Sequence, residues 1–140
     1  MDDLNRFLLG QESLYGLALS ELRSGRKRSH WMWFVFPQFA GLGASPLSQH
    51  YAIKSVAEAE AYLRHPVLGP RLVDCCEAVL AVKGRTAFEI FGSPDDLKLR
   101  SCATLFALVS PEGSAFARLL DQYFDGEPDS ATLRLLGREA

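Results

Sequence analysis

SHWMWFVFPQ, residues 29–38, is the stretch on whose reading the fold class turns. From Trp31 to Phe36 it is uniformly apolar, and Pro37 stops it. Such a run suits a buried strand or a buried helical turn, and periodicity does not separate the two. No other part of the chain reads clearly as a partner strand. The stretch is therefore expected to be a short buried helical segment, and the chain all-α.

Working outward, Leu4, Phe7, Leu8, Gln11, Leu14, Tyr15, Ala18 and Leu22 follow an i, i+3, i+4, i+7 progression. That spacing makes one stripe on an amphipathic helix, which should end near Gly25. On the C-terminal side the helix starts are marked by repeated signals. Ser45 precedes Pro46, Ser55 stands ahead of Glu58 in capping-box spacing, Pro66 opens VLGPRLVDCCEAVLAV, Thr86 stands ahead of Glu89, and Ser93 precedes Pro94. Each hydroxyl can accept a bond from an orphan amide of the first turn. Gly84, Gly92 and Gly126 are placed to close helices. The last pieces run over roughly residues 112–125 and 130–136, the latter started by Asp129. About seven short helices with brief connectors, and no linker or repeat, predict one all-helical domain over residues 1–140. Gly41 and Gly43, in FAGLGASP, mark the one distinctly flexible loop, directly after the aromatic run.

Composition supports a packed core. A chain of 140 residues buries roughly two thirds of its unfolded surface, and 48% hydrophobic against 23% charged residues is a globular balance. The formal net charge of −2 offers no general attraction to nucleic acid or anionic lipid, so any such binding must be local. No apolar run approaches the ~20 residues of a membrane span, and MDDLNRFLLG lacks the pattern of a secretory signal. A cytoplasmic protein with no membrane partner is expected. Cys75, Cys76 and Cys102 have neither CxxC spacing nor an even count, which points to reduced, buried thiols and to no metal cluster.

Two segments carry chemistry. In RSGRKRSHWMWF, Arg23, Arg26, Lys27 and Arg28 precede His30, Trp31 and Trp33. Cations beside stacking rings suit a flat, phosphate-bearing ligand. The same cations at a helix C-terminus also complement its dipole, and tryptophans fill cores. His30 stands between charged loop and apolar run, where it is placed either to transfer a proton or simply to orient the turn. Gln38 either satisfies the backbone of the following turn or reads a ligand's amide or base edge. In IFGSPDDLKLRS, Asp95 and Asp96 suit the first turn of a helix, with Asp96 in i, i+4 register with Arg100. Alternatively one carboxylate orients His30 or activates a water while Lys98 stabilises negative charge. There is no GxGxxG, phosphate-loop, GxSxG or HExxH signature.

GRKRSHWMWFVFPQFAGLG, YAIKSVAEAEAYLRHPVLGPRL and EIFGSPDDLKLRSCATLF closely resemble a bacterial and fungal family, domain of unknown function 1810. The resemblance spans almost the whole chain and implies an all-helical single domain. It implies no activity. The label calpastatin, borne by some members, does not suit a core-forming chain, because true calpastatins are long and disordered. The family's motif words coincide with Lys27, Ser29, His30, Trp31, Trp33, Pro37 and Gln38, then with Asp95, Asp96 and Lys98. Cys102 stands where another small residue is expected.

The combined expectation is a joint site between the two segments for a flat, anionic, nucleotide-derived small molecule, with acid–base hydrolysis or group transfer as the reaction it would run. Trp31 or Trp33 would stack, Lys27 and Lys98 would meet negative charge, His30 would move a proton, and Asp95 or Asp96 would orient it; Ser29 and Gln38 complete the binding set. No motif identifies a cofactor, a metal or an oligomeric state. The competing expectation is an interaction module whose exposed aromatic and basic surface binds protein or RNA.

Overall fold

Among residues 3–138, which the computed structural model describes, regular structure consists of ten helices and one isolated bridge. The helices are α1 (Asn5–Gln11), α2 (Tyr15–Arg23), α3 (Met32–Val35), α4 (Pro46–His50), α5 (Val56–Arg64), α6 (Leu68–Ala81), α7 (Ala87–Phe91), α8 (Asp95–Leu108), α9 (Ala115–Phe124) and α10 (Ser130–Leu135). The all-helical reading holds, and the aromatic run does contain a short helix, α3. The count exceeds seven because α3, α4 and α7 are only four or five residues long and because the first predicted helix is two.

That division falls at residues 12–14, where Glu12 N bonds Leu9 O and Leu14 N bonds Gln11 O, the tight geometry of a finished helix. The stripe continues across it, but α1 takes its orientation from α3. The Gln11 amide donates to Phe34 O at 2.6 Å and to the Tyr62 hydroxyl at 3.2 Å. Gly10 makes the approach possible, since a Cβ there would lie 2.8 Å from the Phe34 ring.

The local start signals act as their chemistry requires. Ser45, Ser55 and Asp129 accept from the amides of Ser48, Glu58 and Thr132, and Thr86 with Glu89 completes a reciprocal capping box. Ser114 caps α9 in the same way. After Pro66 the helix begins two residues later, with His65 Nδ1 accepting from Val67 N and Leu68 N. Ser93 does not cap α8; Pro94 holds that position without a side-chain bond.

The core lies between the two longest helices, α6 and α8, with α2, α5 and α9 packed around them. Leu72, Cys76 and Val79 from α6 and Leu99, Cys102 and Phe106 from α8 belong to one buried cluster, which Phe7, Trp31, Phe36 and Tyr62 complete. The three cysteines are free and buried, and burial above all pushes the Cys75 thiol up to about 12. They are structural hydrophobes rather than nucleophiles.

Two devices hold the edge that matters for the site. Ala40 N donates to Ile53 O and Ile53 N to Gln38 O, both at 2.8 Å, which clamps the base of the excursion carrying α4. Beneath it the buried Arg6 guanidinium pairs with both Glu58 carboxylate oxygens at 3.2 Å and donates to the carbonyls of His50 and Ala52. Residues 50–54 are thereby tied to α1 and α5. The excursion itself is lightly held: α4 contributes no buried residue.

Gly69 marks the tightest crossing. A Cβ there would lie 2.1 Å from the Leu63 carbonyl oxygen, so only glycine lets α6 pass the end of α5. Gly16, in α2, would meet nothing within 4 Å. Denaturant unfolding should therefore show Gly69→Ala destabilised by about 2–4 kcal/mol, on the scale of severe overpacking against an unyielding backbone. Gly16→Ala should be neutral or stabilising by up to about 1 kcal/mol. Similar effects from both would refute this account of the crossing.

Candidate functional site

The turn that enters the aromatic run is organised by one carboxylate. Glu21, on the last turns of α2, is 8% exposed and accepts from Arg28 N at 2.9 Å, Ser29 N at 3.0 Å, Ser29 Oγ at 2.6 Å and Trp31 Nε1 at 2.9 Å. Burial alone would raise its pKa, but these donors outweigh burial and hold the carboxyl at about 2, below its ordinary 4.5. Trp31 is consequently a core residue at 0% exposure, with its only polar atom already bonded. It has no face to offer a ligand. Ser29 likewise serves the turn.

Lys27 is also drawn inward. Its ammonium bonds Asp95 Oδ2 at 2.8 Å and Ser29 O at 2.6 Å and lies 5.0 Å from the Trp31 ring centroid. The other Asp95 oxygen is 3.4 Å from Lys98 Nζ, and Lys98 in turn stands 5.4 Å from the centre of the Trp33 ring. Asp95 thus orients two lysines and joins the first turn of α8 to the aromatic segment. The expected Asp96–Arg100 pair is not made: Asp96 Oδ1 accepts from Leu97 N, and Arg100 Nε donates to Glu127 O across the fold.

Beside this junction opens a cavity of about 490 Å³. The aromatic segment supplies Trp33 and Gln38, the glycine loop residues 39–43, the return segment Tyr51 and Lys54, and α8 Leu97, Lys98 and Ser101. Asp129 closes one side, its carboxylate engaged by Thr132 N and Oγ1. Gln38 uses its backbone carbonyl, not its side chain, to hold the turn, so its amide is open to the cavity. The Lys54 ammonium reaches only Ala52 O, at 3.5 Å, too long for a strong bond. The cavity therefore offers a half-buried indole, a carboxamide and two ammonium groups to a small molecule with a ring and negative charge.

Of the residues expected from sequence, Trp33, Gln38 and Lys98 line this cavity. Asp95 stands behind Lys98; Lys27, Ser29 and Trp31 build the turn; Asp96 bonds its own helix start. His30 is exposed, outside the lining, and without a hydrogen-bond or ion-pair partner among the described residues, so nothing orients it toward either aspartate. Sequence reasoning missed Tyr51 and Lys54. Their signal was the glycine loop, whose far end had to return to the aromatic run, but a return of a few residues carries no readable periodicity. Among the described residues no three His, Cys, Asp or Glu side chains converge as a metal site would require, and no helix is long and apolar enough to cross a membrane.

A family model described as "Protein of unknown function (DUF1810)" matches residues 1–136. Among solved structures, the conserved hypothetical protein Rv1873 from Mycobacterium tuberculosis, a crystal structure at 1.38 Å, is similar at 52% sequence identity with a TM-score of 0.94, covering 96% of each chain. No curated protein matches.

The Glu21 network has a measurable signature. Its folded pKa lies below the unfolded one, so its contribution is complete above pH ~4.5 and disappears as pH falls toward ~2. Urea unfolding followed across that window should lose roughly 3 kcal/mol. In Glu21→Gln this component of the pH dependence should vanish, and an unchanged acid limb in that variant would show that Glu21 is not its source.

Proposed function

We propose, for a chain that belongs to the DUF1810 family of proteins of unknown function, that it is a small-molecule-binding domain whose ligand is flat, anionic and nucleotide-derived. The observation that carries this reading is that Trp33, Lys98, Gln38 and Lys54 line one cavity, with Lys98 Nζ 5.4 Å from the centre of the Trp33 ring. A planar ring would lie beside the Trp33 indole. Its acidic group would meet Lys98, whose ammonium is only partly neutralised by Asp95, and the Gln38 carboxamide would pair with an amide or base edge. A volume of about 490 Å³ is within the usual range for small-molecule sites.

Binding has more support than acid–base catalysis. Asp95 is held by two lysines and His30 is not on the cavity wall, so the proton-transfer pair expected from sequence lacks a geometric basis.

The test is a thermal-shift screen over nucleotides, nucleosides and free bases. A ligand at 100 times its Kd should stabilise the fold by about 2.7 kcal/mol. That shift should be abolished in Lys98→Ala and Trp33→Ala and retained in His30→Ala. No shift anywhere in the panel, or a shift that survives both cavity substitutions, would overturn the reading. Loss of the shift in His30→Ala would restore the histidine to the site.

A further inference from the structure

The cations ahead of the aromatic run divide into two groups. Lys27 turns inward, but Arg23, Arg26 and Arg28 are exposed, and their guanidinium groups have no hydrogen-bond or ion-pair partner among the described residues. Arg85, on the loop between α6 and α7, comes to the same place. A Cβ on Gly25 would be 3.6 Å from Arg85 Nε and 3.7 Å from its Cδ, so this side chain lies against the turn that ends α2. It too is exposed and without such a partner.

Three shallow depressions share Arg85 as a wall. One also contains Arg26 and Phe88, a second Arg23, and a third Lys83. Phe88 is 60% exposed. Glu21 is buried and saturated by its four donors, and Glu89, which accepts from Thr86 N at 2.8 Å, is the one exposed carboxylate lining these depressions, against Arg23, Arg26, Lys83 and Arg85. Although the chain carries a net −2, this face presents a positive field. None of its residues lines the cavity near Trp33.

We propose that the face centred on Arg85 binds single-stranded nucleic acid, with Arg23, Arg26, Lys83 and Arg85 following the phosphates and Phe88 stacking on an unpaired base. Guanidinium groups left free along a connected surface suit a chain of phosphates better than one enclosed anion. A single exposed ring among cations is the arrangement of a stacking platform, which needs a base not sequestered in a duplex. A membrane surface fits less well, because the apolar residues beside Phe88, Ile90 and Phe91, are buried and leave no second apolar side chain to insert.

Fluorescence anisotropy with a labelled 12-nucleotide oligouridylate tests this on the full chain. Four phosphate contacts give a slope of log affinity against log salt near −3, so affinity should fall about 50-fold between 50 and 200 mM salt. The double variant Arg26→Ala/Arg85→Ala, its helicity checked by circular dichroism, should bind more weakly and with a slope shallower by about 1.4. Phe88→Ala should bind about tenfold more weakly at unchanged slope. Arg64→Ala, exposed on α5, should bind as the parent does. Absence of binding at 50 mM salt, full affinity in the double variant, or tighter binding of a duplex of equal length would overturn the proposal. Dependence on Lys98 would move the interaction to the cavity. Co-sedimentation with phosphatidylserine vesicles in the absence of oligonucleotide binding would assign the face to a membrane instead.

Discussion

A carboxylate removed from water must be given donors, and Glu21 takes all of its own from residues 28–31. That requirement converts a flexible run of basic residues into a defined turn. It also decides which tryptophan is inside. With the Trp31 indole N–H fixed on Glu21, Trp31 enters the core, and Trp33, two residues along a helix that turns about 100° per residue, faces nearly the opposite way, onto the cavity. The two rings have the same chemistry and opposite roles.

The next dependence is electrostatic. Asp95 stands between Lys27 and Lys98 and fastens the first turn of α8 to the turn that Glu21 builds. One carboxylate shared by two ammonium groups leaves the junction positive, and Lys27 is the one enclosed. The residual charge therefore appears at Lys98, on the cavity side. The opposite wall has a separate support, the buried Arg6–Glu58 pair and the clamp between Gln38, Ala40 and Ile53. Removing one member of such a buried pair leaves an uncompensated charge, so this wall is sensitive to substitutions well away from any ligand. Between these supports the α4 excursion is lightly packed, which makes it the part of the rim most able to adjust to an occupant.

The two surfaces with binding chemistry differ in kind. The cavity combines one ring, one amide and two ammonium groups in a partly enclosed space. The Arg85 face has more cations and almost no enclosure. The short basic segment touches both, because the Glu21 turn directs Lys27 inward to Asp95, behind the cavity, and leaves Arg23 and Arg26 outside, beside Arg85.

By itself the sequence determined the all-helical class, the starts at Ser45, Ser55, Thr86 and Asp129, and the buried character of the cysteines. These rest on interactions within a few residues: a hydroxyl or carboxylate reaching the amide three positions on, or an apolar stripe repeating with the helical turn. It also pointed to the two segments that meet at the cavity. What it left open was direction. Only the tertiary structure divided the first helix, because Gln11 and Gly10 answer to Phe34 and Tyr62. Only the tertiary structure sent Trp31 inward, turned Asp95 to Lys27 rather than His30, and carried Arg100 to Glu127 instead of Asp96. An aromatic run apolar on every side has no preferred face, and a charge chooses among partners by where the folded backbone places them, so these choices are made by contacts far apart in the chain.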